Sequence, residues 1–193
     1  MATSFNIVDG IEKIYYAVLD EKNEQYGEVK LFSDMVVEFG MSPTQNSTSV
    51  YGSNREITSI LGNLTGEVTL TVQSLDEEVQ AEVMGKVKAE GGGYLDKGLD
   101  KPYVALMVEK SLDGGEYEYL TLYKGKFDLA EEKAKTKEDQ AEAQAQSYTA
   151  RFIQLKDKTF KYAVRTTNMK EQEKTAFMEK WGKQVIKPAV AQE

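Results

Sequence analysis

Asp76, Glu77 and Glu78 form a tight group of side chains that could carry chemistry. Adjacent carboxylates can act as general acids or bases, and glycoside cleavage needs two of them facing across a cleft. These three precede an apolar stripe. They therefore open a helix, where the dipole favours negative charge and water solvates it. The chain carries 32 Asp and Glu among 193 residues, so chance carboxylate pairs have little meaning. Histidine and cysteine are absent, which removes imidazole bases, thiolate nucleophiles, the metal sites built on either, and disulfides. Ser147-Tyr148 and Ser49-Val50-Tyr51 accordingly lack a histidine to activate the serine, and no lysine is marked by spacing as a substitute. Gly91-Gly92-Gly93 fits neither a phosphate loop nor a dinucleotide fingerprint and reads as a turn. Tyr117, Tyr119, Thr121 and Tyr123 share one face of a strand pattern. Such a row can be a binding platform, but is more often a stack within the fold. Asp128, Glu131 and Glu132 with Lys133, Lys135 and Lys137 read as a solvated charge run. No catalytic, cofactor-binding or metal-binding residue is expected, and no cofactor.

The elements that carry these groups centre on residues 66–85, GEVTLTVQSLDEEVQAEVMG. Val68, Leu70 and Val72 alternate with Glu67, Thr69, Thr71 and Gln73, the period of a half-buried strand. The period then changes. Leu75, Val79 and Val83 recur every four residues and predict a short helix with one apolar stripe. Ser74 and Glu77 have the spacing of a capping box, and Gly85 is a natural stop. The stripe must be buried, and the neighbouring sheet is the nearest surface.

In chain order, 11–19 predicts a strand, 20–27 a polar turn and 29–41 a second strand region. Residues 42–54, SPTQNSTSVYGSN, have no apolar period and read as an exposed loop. Residues 55–61 return as a strand with Ile57 and Leu61 inward. Together 36–61 predict a long hairpin with a polar tip, and a loop of that length calls for a role. Residues 103–110 predict a central strand. Asp113-Gly114-Gly115 signals a hairpin, and 116–123 returns, with 125–130 extending the sheet. Residues 131–146 favour helix but carry no stripe to bury. Residues 147–153 and 160–166 predict a final antiparallel pair. Asn168 caps a terminal helix over 169–182, anchored by Phe177, Met178 and Trp181. The fold class that follows is mainly β, with two packed antiparallel sheets in a sandwich or barrel-like arrangement. A flanking α-helix and a C-terminal helix complete one domain over 1–193.

Composition agrees. Apolar residues make up 40%, with 11 tyrosines and 7 phenylalanines, enough for a real core. A formal charge of -8 argues against a free-standing nucleic-acid binder. No signal-peptide pattern or membrane-spanning run is present, so no membrane anchor and a cytoplasmic product are expected. Periodicity does not separate a monomeric β-sandwich binding module from a structural subunit.

The ordered set of segments resembles a known family, the major tail proteins of long-tailed, non-contractile bacteriophages, specifically the phi13-type or TP901-1-like tail tube group. The matching pieces are GIEKIYYAVLDE at 10–21, STSVYGSNREI at 47–57 and GEVTLTVQSLDEEVQAEVMG at 66–85. KPYVALMVEKSLDGGEYEYLTLYKGKF at 101–127 and AKTKEDQAEAQAQSYTARFI at 134–153 follow. Tyr51-Gly52-Ser53-Asn54 departs from the family pattern at Ser53, where an acidic residue is usual. The resemblance implies hexameric rings stacked into a tube, assembled in the host cytoplasm and located in the virion tail. It implies tape-measure, tail-tip and tail-terminator proteins as partners, and genomic DNA passing through the lumen without specific binding. Tubes of phage-derived bacteriocins or secretion-like particles are the near alternatives. It also implies an inter-subunit arm, with Ser42, Pro43, Thr44, Gln45, Asn46, Ser47, Thr48, Tyr51, Asn54 and Arg55 as candidates.

Overall fold

Alternating sequence over most of the chain produces strands β1 (Val8–Asp20), β2 (Gln25–Tyr26), β3 (Lys30–Ser33), β4 (Val36–Gly52) and β5 (Arg55–Val72). Helix α1 (Glu77–Val83) and the short strands β6 (Val87–Lys88) and β7 (Tyr94–Leu95) follow. Then come β8 (Tyr103–Leu112), β9 (Glu116–Phe127), β10 (Gln146–Ile153), β11 (Lys161–Arg165) and helix α2 (Glu171–Lys180). The computed structural model describes residues 7–98, 100–128 and 145–189.

A nine-stranded sheet runs in the order β2-β1-β8-β9-β10-β5-β4, with β3 paired to β1 and β11 to β9. Strands β6 and β7 form a separate two-stranded sheet. Neighbouring strands are antiparallel in both. The large sheet curls so that its halves face each other in a sandwich. Lys110 of β8 lies over the Phe39 ring of β4, 5.4 Å from its centre. Phe32 stacks on Phe127 at 5.4 Å and meets Tyr16 and Tyr148 edge-on. The main core comprises Ile14, Tyr16, Val68, Leu70, Val104, Leu106, Leu122, Phe152 and their neighbours. The fold is mainly β, as the alternation predicts.

Helix α1 lies against this core. Val83 is buried, while Leu75 and Val79 are partly buried against the same cluster. The cap is Asp76 rather than Ser74: its carboxylate accepts from the Glu78 N–H at 2.8 Å. Ser74 instead turns its carbonyl to the Ser33 hydroxyl at 3.2 Å. The predicted stop holds. Gly85 has φ +67, its N–H donates to Glu82 O, and Lys86 N–H donates to Ala81 O. This is a Schellman ending, and glycine suits its left-handed position. Tyr16 donates its hydroxyl to Glu82, which Lys30 also pairs with at 2.9 Å.

Strand β8 is apolar on both faces because both are covered. Val104, Leu106 and Val108 enter the main core, whereas Met107 joins Ala17, Val29, Tyr119, Phe177 and Trp181 in a second one. That second core is closed by α2. Tyr119 lies 4.6 Å from Trp181 and 5.2 Å from Phe177, ring centre to ring centre. The tyrosine row therefore packs within the fold. Met178 is no anchor. It is 45% exposed, because a neighbour one step along a helix points away from a face set by positions 177 and 181. Asn168 is not the cap either. It ends a tight turn over Thr166–Asn168, and α2 starts after Lys170, whose N–H donates to Glu173 at 3.4 Å. Strands β10 and β11 do not pair with each other. Both pair with β9, β11 along 118–122 and β10 along 125–127. Residues 129–144, which hold most of the predicted charge run, lie outside the described residues.

The Trp181 indole N–H donates to Glu109 at 3.1 Å. Burial pushes the Glu109 carboxyl above the ordinary range, against the Trp181 hydrogen bond and nearby Lys13, with Glu12 adding to the rise. A raised carboxyl means the folded state holds its proton longer than the unfolded chain. Its contribution therefore falls as pH rises from the unfolded value through the folded one. Glu109→Gln keeps an oxygen for the indole and removes the charge. The variant is expected to be at least as stable as wild type at about pH 7, with less decline between about pH 4 and pH 7. Urea melts across that interval measure it. A clear loss at neutral pH would show that the charge stabilises the contact.

Candidate assembly interface

The residues predicted as a loop are strand. Residues 36–52 and 55–72 pair along their length, from Val36↔Val72 to Gly52↔Arg55. The turn between them is only Ser53-Asn54, with φ of 51° and 59°. Two positive φ angles in a two-residue turn match the right-handed twist of the strands. The polar composition misleads because Ser and Thr give no apolar period, while cross-strand pairing satisfies their backbone all the same.

The hairpin outruns the body. Strand β10 leaves β5 at Ile153↔Thr65, and β4 is the edge of the sheet. Just past that point the Gln154 side chain accepts the Leu64 N–H at 3.0 Å. The base is anchored at Gly66, where an added Cβ would lie 2.8 Å from the Phe160 ring. Beyond the base there are only two strands. Every described side chain from residue 42 to 63 is exposed. Ile57 and Leu61, expected inward, are 65% and 67% exposed because no second layer lies beneath them.

The candidates Ser42, Pro43, Thr44, Gln45, Asn46, Ser47, Thr48 and Tyr51 thus lie on β4, Asn54 in the turn, and Arg55 at the start of β5. Local bonds stiffen the ribbon. Gln45 Nε2 donates to Gly62 O at 3.1 Å, and Ser49 Oγ donates to Glu56 Oε1 at 2.7 Å. Two bulges interrupt the pairing, between Gln45 and Ser47 and between Val50 and Tyr51. Sequence reading missed Val50 and Ile60, which are 38% and 60% exposed. Their signal was available: apolar β-branched residues in a stretch with no partner layer.

The groups that could carry chemistry elsewhere have structural roles. Asp76 caps α1, the Ser147 hydroxyl bonds Thr71 Oγ1 at 3.1 Å, and Tyr148 donates to Gln146 at 2.6 Å. Among the described residues no group of three or more acidic side chains is placed to hold a metal ion. Nor is any described helix long and apolar enough to cross a membrane.

A bare two-stranded ribbon is marginal in water unless something packs on it. Its chemistry is that of a contact surface. Comparison with individual curated proteins gives no match. The sequence pattern of a family described as phage tail tube protein matches residues 43–187, a span that begins on the ribbon and runs through α2. Covering most of the chain, that match places this protein in the phage tail tube protein family.

Proposed function

We propose that the protein forms hexameric rings that stack into the tail tube of a long-tailed, non-contractile phage of the phi13-like group, and that the tube conducts DNA during ejection. Membership of the tail tube family makes it a structural, non-catalytic component of the virion tail. The observation that supports the finer reading is the ribbon, which extends past the body with both strands exposed. Residues 42–55 act as the arm that reaches an adjacent ring. The body, helices included, works as one tube-forming domain assembled in the host cytoplasm. Tape-measure, tail-tip and tail-terminator proteins are its partners in the tail. The net charge of -8 suits a conduit that repels phosphate rather than gripping it.

Negative-stain electron microscopy of the concentrated protein tests this, alone and with its tail-tip complex. Wild type is expected to give tubes with six-fold rings. A variant in which Ser47–Leu61 is replaced by a short Asn-Gly turn removes only the outer part of the ribbon, beyond the last contact with β10. It is expected to keep its urea stability within about 0.5 kcal/mol, the usual range for surface changes, and to form no tubes. Normal tubes from that variant would end the arm's role. A wild-type protein that stays monomeric under every condition would end the tube reading.

A further inference from the structure

The second core is closed by a segment with few apolar contacts of its own. Within α2 the buried residue is Phe177, and Trp181 follows at the C-terminal end. Met169, Val185 and Ile186 add partial cover. The sheet beneath has its own ladder, β1 with β8, β8 with β9 and β9 with β11. It needs no hydrogen bond from α2 to stay paired.

Polar bonds fasten the segment to the body. Lys174 pairs with Glu116 at 2.9 Å, Lys187 pairs with Asp157 at 2.7 Å, and the Trp181 indole donates to Glu109 at 3.1 Å. Thr166 fixes the point of departure. It is buried, donates to Glu116 and accepts the Tyr117 N–H at 2.8 Å. Everything that holds residues 169–187 down thus lies after Thr166.

These carboxylates are held in opposite charge states. The Thr166 hydroxyl and then Lys174 keep Glu116 below the ordinary range, and Lys187 with the Thr159 N–H keeps Asp157 at about 2. Glu109 meets a neutral donor instead. It is flanked in register by Lys13 of β1 and Tyr119 of β9. Burial keeps its carboxyl above the ordinary range, opposed by the indole and Lys13 and helped by Glu12. Tyr15, which also faces Glu109 from β1, and Tyr119 are both raised by burial and stay neutral. Trp181 is the group that α2 sets against Glu109, so lifting it gives the carboxylate to water.

We infer that residues 169–187 form a lid that lifts from a folded sheet as one unit, and that a proton on Glu109 shuts it. The closed form binds that proton more tightly than the open form. Closure therefore weakens as pH rises from the ordinary carboxylate value through the raised one. The lysine pairs act in the other direction and are lost in stronger acid, as Glu116 and Asp157 take up protons. The lid is most firmly shut between these limits, at about pH 4–5. Lifting bares Tyr119 and Met107, so pH sets how often this aromatic face opens.

Hydrogen exchange of the dilute protein, corrected for the intrinsic rate at each pH, tests both parts. Protection of the amides of 174–184 should fall about threefold or more between pH 5 and pH 7, while the amides of β8 keep theirs. Glu109→Gln should remove that pH dependence. Lys187→Met should lower protection along the whole of 174–184 and leave the pH dependence in place. Constant protection in wild type overturns the proton gate, and so does a fall that persists in Glu109→Gln. Parallel loss in β8 overturns the lid, because the opening would then be global. Loosening confined to the residues beside position 187 shows that the segment does not move as one unit and overturns it too. Assembly plays no part in the measurement, so its outcome is independent of the tube reading.

Discussion

Replacing Trp181 with alanine is expected to cost about 3–5 kcal/mol, the range for deleting a buried tryptophan or phenylalanine. Trp181 is 8% exposed, and its ring stacks on Phe177 at 5.6 Å and tilts against Tyr119 at 4.6 Å. Its loss also takes the indole donor from Glu109, whose charge is already disfavoured by burial. Two effects therefore add, a cavity in the second core and a carboxylate with one donor fewer. Trp181→Phe helps to separate them, because it loses the N–H while keeping an aromatic ring and so leaves a smaller cavity than alanine does. It should fall between wild type and alanine. Urea unfolding followed by circular dichroism is the measurement, since the chain has a single tryptophan and the variants remove that fluorophore. An alanine variant within about 1 kcal/mol of wild type would mean that α2 does not seal the second core.

Val83→Asp is expected to destabilise by a similar amount, about 3–5 kcal/mol near pH 7. Val83 is fully buried in the main core at the end of α1. The substitution removes apolar contact and places a carboxylate where water does not reach. The sign with pH is opposite to that of a salt-bridged acid. Burial raises the folded pKa of the new group above about 3.9, so the folded state binds the proton more readily than the unfolded chain. The deficit is largest above the folded pKa and shrinks as pH falls through it. Urea melts near pH 7 and pH 5 should show the gap to wild type narrowing in acid. Val79→Asp, at a partly buried position on the same stripe, should lose less. A pH-independent gap for Val83→Asp would show that the aspartate escapes to water and that α1 is not seated as described.

What the sequence conveyed follows from where the physics is local. The change of period at Ser74 marked the end of β5 and the start of the helical stripe, because alternation and four-residue spacing are both properties of neighbouring residues. The strand at 103–110 and the turn at 113–115 were equally local. The cap of α1 was ambiguous for a physical reason. Ser74 and Asp76 are both good caps, and the choice fell to Asp76 once the Ser74 carbonyl was taken by Ser33, a residue 41 positions away. The partnership of β10 and β11 with β9 was equally remote from local pattern. The ribbon was the hardest case. Nothing in SPTQNSTSVYGSN is periodic, and its strand conformation depends on partners supplied by residues 55–67. The inward expectation for Ile57 and Leu61 assumed a layer beneath them. Among the described residues no layer covers them, so a rule for intramolecular cores pointed the wrong way.

The second core has an implication for the order of events during synthesis. Its floor is laid down early, by Ala17 of β1 and Met107 of β8, and its lid late, by Phe177 and Trp181. The lid is then fastened by residues that follow it. Tyr123 donates its hydroxyl to Ile186 O at 2.9 Å, and Lys187 pairs with Asp157 at 2.7 Å, holding that carboxyl down at about 2. A growing chain can pair all its strands while this face is still bare. An apolar face left open in that interval is a site for wrong contacts between nascent copies. Emergence of Phe177 and Trp181 from the ribosome is thus the step that covers this sticky face and leaves the ribbon as an exposed apolar surface of the folded chain.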